Sequence, residues 1–208
     1  MKFSNNRYQI SPTFPGIMDN IVDRTMVDRE KLKLHYEYAI RAKFMEGAIA
    51  EAGVWRGGIV YLYASVILDK AIYAFDSWEG LPEPSLEDMI GLDKQEMPRG
   101  WGACDMPNEL LGKFGNRIIL HKGWFKDTLH RVAYEKFCLV HIDCDQYQSV
   151  QDCLNFFYPR MIPGGFILID DYGFRLTPGA TLAVDEFFDK IDIFKYNTFG
   201  GLYIELAK

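Results

Sequence analysis

Val140-His141-Ile142-Asp143-Cys144-Asp145 and, further along, Phe166-Ile167-Leu168-Ile169-Asp170-Asp171 are two apolar runs that each end in a pair of acids. Short continuous apolar runs read as strands buried on both faces, the kind that build parallel sheets. The turn Pro163-Gly164-Gly165 introduces the second run. If the two strands are neighbours, four carboxylates converge where the chain leaves the core. Such a cluster repels itself unless a proton or a cation compensates it. Oxygen-only ligands suit Mg²⁺ or Ca²⁺ rather than zinc.

Working outward from these runs, strands and helices alternate. Strands are predicted at Ala48–Val54, Ala71–Phe75 (ending at Asp76), Arg117–His121, Phe137–Ile142 and Gly165–Ile169. Helices are predicted at Gly58–Leu68, Lys126–Tyr134, Tyr147–Tyr158 and Pro178–Lys190. At the end, Asp192–Tyr196 and Leu202–Leu206 flank Asn197-Thr198-Phe199-Gly200-Gly201, a hairpin signal. This pattern gives a doubly wound α/β sandwich with an antiparallel last strand.

Before the first strand, apolar spacing from Val27 to Phe44 suits an amphipathic helix, with Thr25 as its cap and Asp28 at the capping-box position. Residues 1–24 lack periodicity and read as an irregular N-terminal arm. Its apolar residues Phe3, Tyr8, Ile10 and Phe14 need a surface to cover, which is compatible with a homodimer. Glu83–Asn108 also breaks the rhythm. A loop this long, leaving the C-terminal end of a strand, reads as a lid over a ligand site. All 208 residues fit one domain.

Composition narrows the function. The formal net charge is −6, and Lys and Arg are scattered rather than clustered, so nucleic acid is not an expected partner. No run of about 18 apolar residues and no basic-apolar leader is present, so no membrane span is expected. Cys104, Cys138, Cys144 and Cys153 form no CxxC pair, and a reduced cytoplasmic protein is the expectation.

Three further stretches carry chemistry. Ala50-Glu51-Ala52-Gly53-Val54-Trp55-Arg56-Gly57-Gly58 follows a strand and opens a helix, where glycines permit a tight turn and close approach of a ligand. It is not the dinucleotide pattern G-x-G-x-x-G, which argues against a nicotinamide-dependent oxidoreductase. Phe75-Asp76-Ser77-Trp78-Glu79-Gly80-Leu81-Pro82 places an acid at the end of the second strand, suited to accepting hydrogen bonds from ribose hydroxyls. His121-Lys122-Gly123-Trp124-Phe125-Lys126-Asp127 offers aromatic rings to an adenine.

Taken in order, EAGVWRGG, FDSWEGLP, KGWFKDTL, HIDCDQYQS and PGGFILIDDYG resemble the macrocin O-methyltransferase family over roughly Thr25 to Phe188. The resemblance implies a Rossmann-like class I methyltransferase sandwich with a mostly parallel seven-stranded sheet. It implies a Mg²⁺-dependent enzyme (EC 2.1.1.-) that moves a methyl group from S-adenosylmethionine to a hydroxyl of a sugar or glycosylated small molecule. By the same resemblance Thr25, Met26, Glu51, Gly53, Gly57, Asp76, Ser77, Gly123, Trp124, Phe125 and Asp143 would surround the cofactor. Asp143, Asp170 and Asp171 would hold Mg²⁺, and Asp145 would be the general base. One departure stands out: many members carry a Cys-Arg pair at the start of the last helix, where this chain has Gly179-Ala180-Thr181.

The residue types suit the reaction, because an alcohol must lose its proton as the methyl arrives. A divalent ion acidifies a coordinated hydroxyl, and a nearby carboxylate removes the proton. Two alternatives stay open on the residues alone. Asp145 is either the base or a fourth ligand, and His141 is the next candidate base, although a lone histidine in an apolar strand is more often part of the core. A methyltransferase-like binding protein without turnover is the non-enzymatic alternative.

Overall fold

A computed structural model describes residues 13–93, 96–189, 194–198 and 201–206. Helices α1 (Phe14–Ile21) and α2 (Arg29–Ala42) lead into strand β1 (Ala48–Ala52), α3 (Gly58–Val66) and β2 (Ile72–Asp76). Then come α4 (Glu109–Phe114), β3 (Ile118–Lys122), α5 (Phe125–Thr128), β4 (Phe137–Ile142), α6 (Tyr147–Phe157), β5 (Met161–Ile169) and α7 (Pro178–Phe188). The pair β6 (Phe194–Thr198) and β7 (Gly201–Glu205) ends the described chain. One sheet takes the order β3-β2-β1-β4-β5-β7-β6. Strands β1 to β5 run parallel, and β7 lies antiparallel between β5 and β6. The mostly parallel seven-stranded sheet with an antiparallel last strand is therefore what forms.

The two acid-tipped runs are adjacent strands, with Leu139 beside Phe166 and Ile142 beside Ile169. Their apolar side chains alternate between two cores. Phe166 and Leu168 face the layer of α1, α2 and α3, while Val140, Ile142, Ile167 and Ile169 face α6 and α7. Burial on both faces is what removes the polar alternation from these runs.

Several expectations need correction. The arm contains α1, because Pro15 opens a helix whose Ile17 and Ile21 are completely buried one helical step apart. Each contributes about 2 kcal/mol or more by leaving water. Phe14 is half-buried with its ring 5.5 Å from Tyr36, while Phe3, Tyr8 and Ile10 lie outside the described residues. Asp28, not Thr25, caps α2: its carboxylate accepts from the N–H groups of Glu30 (2.9 Å) and Lys31 (3.0 Å). The helix expected at Lys126–Tyr134 shrinks to α5 and a 3₁₀ turn, Leu129–Val132. Strand β5 begins at Met161, ahead of the turn at Gly164. In the hairpin, Asp192, Ile193, Phe199 and Gly200 lie outside the described residues.

The Glu83–Asn108 segment is tied down at its base. Leu81 N–H donates to the Trp101 carbonyl (2.9 Å) and Gly100 N–H to the Leu81 carbonyl (2.8 Å). A Cβ on Gly80 would lie 2.4 Å from the Gly100 backbone, so only glycine permits this crossing.

Candidate active site

The site is built where the parallel strands end, the ligand side of such a sheet. Sheet hydrogen bonding continues one step past the regular strands and sets the functional residues in register. Asp143 N–H donates to the Ala52 carbonyl (2.8 Å), Asp170 N–H to Ile142 (3.0 Å), Gly53 N–H to Phe75 (2.9 Å) and Gly123 N–H to Asp76 (2.9 Å). Three non-glycine residues adopt left-handed backbone at this rim: Trp55 (φ 48°), Trp78 (φ 55°) and Asp145 (φ 60°). Such conformations cost about 1–3 kcal/mol each and concentrate at functional sites.

One half of the rim is acidic. Carboxylate oxygens of Asp143, Asp170 and Asp171 all lie within 4.8 Å of one another. Asp171 also accepts from the backbone N–H of Asp145 at 2.9 Å, and Asp170 receives the Lys31 ammonium at 3.0 Å. The second oxygen of Asp170 is buried without a partner among the described residues. Burial, then the charges of Asp170, Asp171 and Asp145, push Asp143 well above the ordinary carboxylate range. Burial and the neighbouring Asp145 and Asp170 do the same to Asp171. Asp145 is pushed up to about 7, by burial first and then by Asp170, Asp76 and Asp88. Asp170 is raised by burial, with Lys31 pulling the other way. This half is short of positive charge, and its donor set of carboxylate oxygens matches a hard divalent cation.

The other half is closed upon itself. Asp76 accepts three backbone N–H groups, from Val54 (2.8 Å), Trp55 (2.8 Å) and Trp78 (2.7 Å). It thus staples the glycine turn after β1 to the turn after β2, and part of its acceptor capacity remains for a ligand. Gly53 stands at the closest approach: a Cβ there would lie 1.6 Å from the Asp143 carbonyl oxygen.

Between the halves lies a cavity of about 530 Å³, in the range of small-molecule sites. Of the residues expected around the cofactor, Met26, Gly53, Asp76, Ser77, Gly123, Trp124, Phe125 and Asp143 line it, together with Asp145, Asp170 and Asp171. Thr25, Glu51 and Gly57 do not. The Thr25 hydroxyl accepts from Val27 N–H (3.1 Å), and Gly57 packs against Leu110 and Pro107 at the start of α3. Glu51 is 2% exposed and turns its carboxylate to His141 Nδ1 at 3.2 Å. Burial drives Glu51 toward its protonated form and holds His141 neutral. His141 lies in the core and does not line the cavity.

The sequence reading missed Lys31, Trp55, Met97, Trp101, Phe174 and Leu176, which also line the cavity. For Lys31 a signal existed. Asp28, Lys31 and His35 follow helical spacing, and His35 lies on the apolar face of α2. Polar residues on a buried helix face need partners, and the acid cluster supplies one.

This sheet order and cleft define the class I methyltransferase fold. The structure of the O-methyltransferase NovP superposes with a TM-score of 0.75 at 26% identity, covering 89% of this chain and 83% of that one. MycE, solved with Mg, S-adenosylhomocysteine and mycinamycin VI, matches in fold at a TM-score of 0.64 and 15% identity, covering 96% of this chain and 54% of that one. Residues 18–196 match the family described as macrocin-O-methyltransferase (TylF), and the chain belongs to that family of S-adenosylmethionine-dependent O-methyltransferases. Mycinamicin III 3''-O-methyltransferase of Micromonospora griseorubida is 28% identical over 186 residues, 81% of this chain and 72% of the relative. Demethyldecarbamoylnovobiocin O-methyltransferase of Streptomyces niveus is 31% identical over 159 residues, 71% of this chain and 60% of the relative. No helix among the described residues is long and apolar enough to cross a membrane.

Proposed function

We propose that this protein methylates a hydroxyl of a sugar carried on a small natural product, with Mg²⁺ held by Asp143, Asp170 and Asp171. The observation that carries the reading is the meeting of three carboxylates in the wall of a cofactor-sized cavity, with one buried oxygen of Asp170 unpartnered among the described residues. The names of the relatives support the acceptor class, since they act on mycinamicin III and demethyldecarbamoylnovobiocin. The magnesium found with MycE supports the metal.

When bound, S-adenosylmethionine supplies an electrophilic methyl and Mg²⁺ supplies a Lewis acid that acidifies a hydroxyl. The chain's own residues do the rest. Asp76, Ser77 and the Gly53 turn hold the cofactor's polar groups, and Trp124 with Phe125 presents aromatic faces to its base. Asp145, held beside the three acids at the end of β4, takes the hydroxyl proton at its carboxylate. Trp101, Met97, Phe174 and Leu176 form apolar wall that displaces water and suits the non-sugar part of an acceptor.

Incubation with S-adenosylmethionine, Mg²⁺ and either mycinamicin III or demethyldecarbamoylnovobiocin, read by mass spectrometry, is the test. A product heavier by one methyl substitution, lost in EDTA and restored by Mg²⁺, is expected. Transfer that persists unchanged in EDTA would remove the metal from the reading.

A further inference from the structure

The loop that carries Asp145 is held from a direction that its own sequence does not show. Helix α6 begins at Tyr147, and its flanking residue Gln146 makes no side-chain cap. A helix start exposes N–H groups that need an acceptor. The acceptor here comes from the Glu83–Asn108 segment: Asp88 Oδ1 receives the Tyr147 N–H at 2.7 Å. The other oxygen, Oδ2, receives the Ser85 N–H (2.9 Å) and hydroxyl (3.0 Å), which fixes the carboxylate within its own segment. Asp88 is 9% exposed, and Gln146 adds a second tie by donating to the Pro82 carbonyl at 3.1 Å.

The start of α7 accommodates this arrangement. A Cβ built on Gly179 would lie 2.0 Å from Asp88 Oδ1, so a side chain there evicts the carboxylate.

We infer that Asp88 is a positioning residue for Asp145, latching the segment after β2 onto the N-terminus of α6, and that Gly179 is the residue that makes room for it. Asp145 sits two positions before the latched N–H, with its own N–H bonded to Asp171 Oδ2 and its backbone left-handed. The loop is thus pinned on both sides of a strained residue, by Asp171 from the end of β5 and by Asp88 from the segment after β2. Releasing the Asp88 pin lets the strained residue relax, and its carboxylate leaves the position it needs. Asp76 keeps its own three backbone N–H donors, none of which involves Asp88.

The inference rests on the reading of Asp145 as the base, and one arm of its test does not. Amide hydrogen exchange at Tyr147 is measured with S-adenosylhomocysteine bound, for wild type, Asp88→Ala, Asp88→Asn and Gly179→Ala. Asp88→Ala and Gly179→Ala are expected to speed exchange at this amide by tenfold or more. Affinity for S-adenosylhomocysteine, by calorimetry, should stay within twofold. Asp88→Asn has only one acceptor oxygen to divide between the Tyr147 N–H and the Ser85 N–H, and should give exchange no slower than wild type and no faster than Asp88→Ala. In turnover on demethyldecarbamoylnovobiocin or mycinamicin III, the first two variants should lose kcat by tenfold or more, with KM for S-adenosylmethionine nearly constant. Unchanged exchange in both Asp88→Ala and Gly179→Ala overturns the latch. Fast exchange with undiminished kcat overturns the positioning role. Should neither acceptor be methylated, the exchange result still decides the latch.

Discussion

The two halves of the rim use the same residue type to opposite ends. At the ends of β1 and β2, Asp76 is satisfied by three backbone N–H groups and welds two turns together. At the ends of β4 and β5, Asp143, Asp145, Asp170 and Asp171 crowd one another, with Lys31 the ammonium bonded among them. A carboxylate given N–H partners is structural material. Carboxylates given each other are an unfinished site, because only a cation or protons relieve them. The difference separates a half whose acid is mostly bonded within the chain, with acceptor capacity left over for the cofactor, from a half whose acids have little but each other until a cation binds.

The sharpest way to break this comparison is to remove acids from the unfinished half. Asp145→Asn should lower turnover by about 10²–10⁴, the range for loss of a general base, and Asp143→Ala should lower it at least as far. Both should fold, since removing one of several mutually repelling charges relieves the site. Steady-state kinetics beside a thermal melt checks this. Near-normal turnover in Asp145→Asn would move the base elsewhere.

The finished half should answer with stability instead. Gly53→Ala drives a methyl to 1.6 Å from the Asp143 carbonyl oxygen and asks for φ near +86°. The strand ends must part, at a cost on the order of 3 kcal/mol, readable as a lower midpoint in urea. Asp76→Ala strands three backbone N–H groups near the surface of a cavity, which costs on the order of 2 kcal/mol because water reaches some of them. A wild-type midpoint in Asp76→Ala would mean that the two turns do not need the staple.

Much of this contrast is legible in the residues themselves. An apolar run buried on both faces cannot hide its length, and acids at its end mark where it leaves the core, so Asp143, Asp145, Asp170 and Asp171 fall on one rim. The glycine turn and Asp76 are legible for a similar reason, since backbone geometry leaves few residue choices. Contacts that depend on tertiary placement are not. The cap of α6 comes from a residue 59 positions earlier, and no local pattern announces it. Helix α1 carries the helical spacing Phe14, Ile17, Met18, Ile21, but it is only two turns long and holds Pro15 and Gly16, which read as breakers. The motif around Glu51 points it at the cofactor, but strand alternation turns it into the core toward His141.

The smallest expected effect is also the most diagnostic of the unfinished half. Take the protein in EDTA, so that only protons can relieve the acids. Asp145 binds its proton more tightly in the folded chain, to about 7, than its ordinary value of 3.8, and Asp143 and Asp171 shift the same way. Between those limits the folded state holds more protons than the unfolded state, so stability must fall as pH rises and recover as pH drops toward 5. A depressed carboxylate would give the opposite slope. The melting temperature of the EDTA-treated protein should therefore be a few degrees higher at pH 5.5 than at pH 8. Saturating Mg²⁺ should flatten or reverse that slope, because the ion takes the place of the protons and binds best when they have gone. Asp143→Ala, with one acid fewer, should show both a shallower slope in EDTA and a weaker response to Mg²⁺. If the slope is the same with and without Mg²⁺, the acids are being relieved by something other than a bound cation, and the two halves of the rim differ less than their partners suggest.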